Sequence, residues 1–94
     1  MFEIKAEGRG NLRLIGRFDA AQAEKAREVL CALEESTVLD CAQLAYISSG
    51  GYSVLFEAQR HLADAGHGLK LINLSPHLRE MFEIAGFDQI LRIE

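Results

Sequence analysis

The chain has 94 residues, of which 49% are hydrophobic and 26% charged, a size and balance that fit one hydrophobic core and leave little room for a second domain. Its 10 basic and 14 acidic residues give a formal net charge of -4, the wrong sign for a surface that neutralises nucleic-acid phosphates, so no direct nucleic-acid ligand is expected. Cys31 and Cys41, its two cysteines, read as reduced structural thiols, and neither a disulfide nor a metal is needed to supplement the core.

Phe2, Ile4 and Ala6 alternate with polar residues, and after Gly8-Arg-Gly10 the alternation resumes at Leu12 and Leu14, so the two runs predict an antiparallel hairpin. Asp19, followed by Ala20 and Gln22, is placed to cap a first helix with its side chain. Ala23, Ala26, Val29, Leu30 and Leu33 then recur at helical spacing, with charged residues largely on the other side. Thr37-Val-Leu-Asp-Cys41 predicts a short strand covered on both faces, and Ala42 to Ile47 lead on to a turn. Ser48-Ser-Gly-Gly51 precedes Val54, Leu55, Ala58, Leu62 and Ala65, a second helical stripe ending near Gly66. Leu69 to Asn73 predicts a strand. Ser75-Pro76 supplies a cap and a first-turn proline for a third helix that stops at Gly86, and Ile90, Leu91 and Ile93 predict a last strand.

The order is ββαβαβαβ, an α/β single domain over residues 1–94. Alternation of strands and helices after residue 36 favours parallel pairing, right-handed crossovers and helices packed on a mixed sheet. No apolar run approaches the roughly 20 residues that span a bilayer, and Met1-Phe-Glu-Ile-Lys5 lacks the pattern of a secretion signal. A cytoplasmic protein without direct membrane contact is expected.

In such a sheet, ligands and partners meet the chain where strands end and helices begin, because unpaired amides point outward there. Ser48 and Ser49 occupy one of these junctions, and the two glycines behind them give the backbone freedom to bend and keep bulk away. One reading makes a serine a helix cap, and the other presents a hydroxyl to another protein's active site. The two are compatible, since one serine can cap while its neighbour projects, and spacing alone does not choose.

Four segments, Gly16-Arg-Phe-Asp-Ala-Ala21, Val38-Leu-Asp-Cys41, Tyr46-Ile-Ser-Ser-Gly-Gly51 and Leu71-Ile-Asn-Leu-Ser-Pro76, resemble STAS domains of the anti-sigma-factor-antagonist family in order and spacing, over nearly the whole chain. The resemblance implies a four- or five-stranded sheet flanked by helices. It also implies a phosphoacceptor at Ser49, a partner that is a serine kinase doubling as an anti-sigma factor, and a serine phosphatase that resets the cycle. On the same basis Asp19, Ser48, Ser49, Gly50, Gly51 and Tyr52 are expected to form the partner-binding surface, with no catalytic residue, cofactor or metal of the chain's own. Ser48 stands where many phosphorylated members have aspartate, Gly50 where serine or alanine is common, and Tyr52 where leucine is usual. A STAS subunit that serves as a constitutive adaptor in a bacterial lipid-transport ABC system is the alternative function.

Enzymatic chemistry finds little support in the residues. His61, His67 and His77 have no cysteine or carboxylate partners in a metal or nucleophile pattern, Glu34-Glu35 reads as a charged helix end, and no nucleotide-hydrolase phosphate loop is present. Tyr52 and Phe56 flank the junction either as partner contacts or, in the favoured reading, packed partly against the fold.

Overall fold

The structure, a computed structural model, describes all 94 residues. Strands β1 (Phe2–Ala6), β2 (Asn11–Phe18), β3 (Thr37–Ile47), β4 (Leu69–Ile72) and β5 (Arg92–Ile93) alternate, after the first hairpin, with helices α1 (Ala23–Leu30), α2 (Ser49–Asp64) and α3 (Pro76–Ile84). The five strands form one sheet in sequence order; β1 and β2 pair antiparallel and every later pair is parallel. The expected ββαβαβαβ order and mixed sheet are therefore present.

One face of the sheet carries the core. Phe2, Leu14, Phe18, Leu39, Cys41, Leu44, Ile47, Leu69 and Leu71 bury against Ala26 and Leu30 of α1, Val54, Leu55, Ala58 and Leu62 of α2, and Leu78 and Phe82 of α3. The expectation that Thr37 to Cys41 is covered on both faces is corrected. Thr37, Leu39 and Cys41 are buried while Val38 and Asp40 between them are only half-buried, the period-two pattern of a strand with one covered face. Arg13, Arg17, Gln43, Lys70 and Arg92 furnish the open face, where polar side chains remain hydrated.

β3 is also longer than Thr37 to Cys41, because the chain stays extended to Ile47. Its register against β2 slips between Arg13 and Ile15 and again between Gly16 and Arg17; each slip adds a residue on β3, and such bulges obscure alternation in the sequence. Asp40 Oδ1 accepts from the Ala42 amide at 3.0 Å at the first of them. β4 pairs only with Thr37 to Asp40, so β3 runs on past it and carries the start of α2 to the end of the sheet.

The first helix differs in the same local way. Residues Ala20–Gln22 form a 3-10 turn, α1 begins at Ala23, and the Asp19 side chain makes no capping hydrogen bond; the Gln22 amide is met instead by the Asp19 backbone carbonyl at 3.0 Å. β4 stops at Ile72 because Asn73 turns into the left-handed region, φ 61°, which asparagine tolerates better than most residues. β5 is reduced to Arg92 and Ile93, and Ile90 lies outside it, exposed.

Candidate functional site at the β3–α2 junction

Ser48 is the N-cap of α2. Its extended backbone, φ -91° and ψ 172°, lets Oγ accept from the Gly51 amide at 3.2 Å. The Ser48 amide donates to the Phe18 carbonyl at 2.9 Å and its carbonyl accepts from Tyr52 at 3.0 Å. Ser48 thus ties the end of β2 to the first turn of α2, and its hydroxyl is committed.

Ser49 is the first residue of the helix and is exposed. Its carbonyl accepts from the Ser53 hydroxyl at 3.1 Å, while its own hydroxyl is free of intramolecular bonds. The two adjacent serines therefore differ in kind, one holding the helix end and one projecting from it. The distinction that spacing leaves open is drawn by the φ/ψ of Ser48.

The glycines differ as well, and the expectation that both supply backbone freedom is corrected. Neither has a positive φ, since both lie in the first turn of α2. A Cβ on Gly50 would make ordinary contacts, the nearest at 3.6 Å from Ala20 Cα and Ser48 Oγ. A Cβ on Gly51 would come within 2.7 Å of Ile47 Cγ1 and 3.1 Å of the Phe18 carbonyl. Gly51 is there for close approach of helix and strand; Gly50 has no such constraint.

Asp19 sits beside this junction in the β2–α1 connection, half-buried, with Oδ1 buried and without a hydrogen-bond partner. Tyr52 is half-buried, as is Phe56. The Tyr52 ring packs 4.9 Å from Phe82 and 4.5 Å from Phe87, and Phe56 lies 4.6 Å from Phe87. These rings bind α2 to α3 and the turn after it. Burial, with a smaller contribution from Tyr46, pushes the Tyr52 phenol up, and its hydroxyl is buried without a partner.

Elsewhere the reactive residue types have structural surroundings. Burial foremost, and then Asp40, pushes the Cys41 thiol up to about 12; burial raises Cys31 too, helped by Glu57. Neither resembles a poised thiolate. His61 lies on the surface, but its Nε2 is 2.8 Å from the Leu33 carbonyl and joins α2 to the loop after α1. No group of three or more His, Cys, Asp or Glu side chains is arranged to hold a metal ion, and no helix is long and apolar enough to cross a membrane. A cavity of about 430 Å³, lined in part by Ser36, Thr37, Lys70 and Arg92, opens at the start of β3 and β4, the end of the sheet away from Ser49. Its Ser36 and Thr37 hydroxyls are engaged with Gly68 N and Glu35 O.

Residue spacing had not singled out one feature of the junction, the Arg17 guanidinium over the Tyr46 ring, 4.4 Å from its centroid. The two residues are 29 apart in sequence but directly opposite in the β2–β3 register, and the second slip in β3 is what brings them together.

A mixed five-stranded sheet with helices on one face and a serine-bearing strand–helix turn at its end defines a STAS fold. The chain belongs to the STAS-domain family, whose model described as "Mlab, STAS domain" matches residues 3–92. It is 38% identical over 84 residues to BtrV of Bordetella bronchiseptica, a protein assigned by name to the anti-sigma factor antagonists, the match covering 85% of this chain and 72% of BtrV. Among solved structures it is similar to unphosphorylated SpoIIAA, an anti-sigma factor antagonist, with TM-score 0.73 and 17% identity over 100% of this chain and 87% of that one. The phosphorylated form of Bacillus SpoIIAA gives 0.72 and 18%, covering 100% and 91%. A Thermotoga maritima protein likewise assigned by name to the antagonists gives 0.79 and 14%, covering 98% and 84%.

Proposed function

We propose that this chain is a cytoplasmic anti-sigma factor antagonist that works by partner switching, with Ser49 as phosphoacceptor. Unmodified, it binds a serine kinase that doubles as an anti-sigma factor, which frees the sigma factor; phosphorylated, it releases the kinase, and a serine phosphatase resets it. Asp19, Ser48, Gly50 and the exposed part of Tyr52 border the acceptor as the partner-binding surface, while Gly51, expected there too, is buried against Ile47 and Phe18 and supports that surface from beneath; the chain performs no chemistry itself. The observation that carries this reading is the division between the serines: Ser48 Oγ is bound to the Gly51 amide, whereas Ser49 is exposed at the helix start. The name of BtrV supports the same activity.

A phosphate on Ser49 adds roughly -1.5 to -2 charges. At a helix N-terminus the dipole favours an anion by about 0.3 to 1 kcal/mol, so the domain stays folded when modified. Against a closely packed partner the same charge must be desolvated at a cost of several kcal/mol, and each ~1.4 kcal/mol is tenfold in affinity. The switch therefore acts on the interface and leaves the fold intact.

The test mixes the chain with a serine kinase of the anti-sigma factor type from the same organism and ATP, and locates phosphate by mass spectrometry. Incorporation at Ser49, lost in Ser49→Ala, is expected; incorporation that persists in that variant refutes the assignment. A second reading is favoured by the family model's description: an adaptor subunit of a bacterial lipid-transport ABC system with no phosphate cycle. It requires Ser49→Asp to bind its ATPase partner as wild type does.

A further inference from the structure

The open face of the sheet ends, beside the α2 start, in a corner made by Met1, Arg17 and Tyr46. Arg9, Arg13, Arg27 and Arg92 each pair with a glutamate. Arg17, like Arg60 and Arg79, has no carboxylate partner, and it differs from them in being held with its guanidinium against an aromatic ring, that of Tyr46. Its backbone is fixed on both sides, by the Met1 carbonyl at 2.8 Å and by the β3 register opposite Tyr46. Met1 and Tyr46 are large apolar side chains left 79% and 37% exposed. Arginine, tyrosine and methionine are the types enriched in interface cores.

A guanidinium held over an aromatic face keeps its N–H edge available for a second, in-plane partner, and a carboxylate fits that edge with two parallel hydrogen bonds. Here the ring has fixed the cation in advance, so little side-chain freedom remains to be lost on binding. The hydrogen bond from the Ser48 amide to the Phe18 carbonyl puts Arg17 one residue along β2 from the strand end that meets the α2 cap, but its side chain lies on the open face, opposite α2, so a protein over Ser49 meets Arg17 by wrapping round the end of the sheet. A second copy of the chain is a poorer occupant, because a two-fold axis through the corner would bring two unpaired Arg17 cations together.

We infer that Arg17, posed on Tyr46, receives a carboxylate of the anti-sigma factor that docks over Ser49, and so sets which anti-sigma factor the chain accepts. The inference rests on the proposed function. The cation adds attraction at the rim of an otherwise acidic molecule, and its chief consequences are partner choice and salt dependence.

The experiment takes the serine kinase of the anti-sigma factor type that phosphorylates this chain and measures its binding to the wild type and to Arg17→Glu, Arg17→Lys, Tyr46→Phe and Ser49→Asp, at low and physiological salt. Arg17→Glu is expected to weaken binding about tenfold or more and to flatten the salt dependence. Arg17→Lys should lose less and Tyr46→Phe least, since each keeps the cation over a ring. An unchanged urea midpoint for Arg17→Glu excludes misfolding as the cause. Wild-type affinity in Arg17→Glu, together with lost affinity in Ser49→Asp, overturns the inference and leaves the proposed function standing. Absence of wild-type binding overturns both, and an Arg17→Glu effect on self-association alone overturns the inference in favour of a second copy.

Discussion

Gly50 and Gly51 permit the same chemical change, one added methyl, at adjacent positions with opposite expected outcomes. In Gly51→Ala the new Cβ would stand 2.7 Å from Ile47 Cγ1 and 3.2 Å from Phe18 Cγ, and both neighbours are core residues, 2% and 0% exposed. Neither can yield without displacing others, so relief comes from lifting the α2 start off the end of β3. Overpacking of this kind costs about 1 to 3 kcal/mol, offset by roughly 0.5 to 1 kcal/mol for replacing glycine by alanine in a helix. The net expectation is a loss between about 0 and 2.5 kcal/mol, centred at ~1.3, which at the centre is a fall of roughly 5 to 10 °C in Tm for a domain of this size. In Gly50→Ala the nearest atoms are 3.6 Å away, so the helical gain stands nearly alone and stability should rise by up to about 1 kcal/mol. Urea unfolding of the two variants and wild type, with equal m-values, measures both differences. Midpoints that move the same way, or a Gly51→Ala midpoint at or above wild type, would refute the packing argument.

Three further outcomes follow from the environments of single groups. Asp40 is held below the usual carboxylate range, first by the Ala42 amide and then by Asn73 and Arg13. Its contribution is present above the unfolded value near ~3.9 and is lost as pH falls through the lower folded value, so acid unfolding of Asp40→Asn should be less steep than that of wild type in that window. The Cys41 thiol, pushed up to about 12 by burial and Asp40, should resist a thiol reagent at pH near ~8 in the native state and label only on unfolding; Cys31 should label first. Tyr52→Phe removes a buried hydroxyl without a partner and should be neutral or stabilising by a few tenths of a kcal/mol up to about 1. Because the folded phenol titrates above its ordinary value, wild type loses stability as pH rises through the folded pKa, and Tyr52→Phe should lack that part of the alkaline limb.

Element order was readable from the sequence because it depends on local signals that agree with one another. Ser75-Pro76 marks the start of α3, and the stripe from Val54 to Leu62 is the buried face of α2. What could not be read depends on pairing between distant segments. The two slips in β3 exist only against β2, so the strand appeared to stop at Cys41. The helices cover only one face of the sheet, so half-buried Val38 and Asp40 looked like core. Asp19 has the right residue type for a cap, but the 3-10 turn at Ala20 satisfies the Gln22 amide from the Asp19 backbone and leaves the side chain unused. The serines were found by pattern, and which of them is free followed only from the conformation of Ser48.

That assignment also explains why a doubled serine suits the proposed switch. A single serine at the junction would have to cap the helix and accept phosphate with one oxygen, so modification would withdraw a cap worth about 1 kcal/mol each time the charge was added. With Ser48 Oγ held by the Gly51 amide, phosphate on Ser49 leaves the cap in place and adds charge where the helix dipole favours it. Stability and signalling are thereby assigned to different side chains. Ser48→Ala should lower the unfolding midpoint while Ser49 remains a kinase substrate, and Ser49→Ala should abolish phosphorylation with little change in stability. If instead Ser49→Ala destabilised the domain as much as Ser48→Ala, the two hydroxyls would share the cap and this division of labour would be wrong.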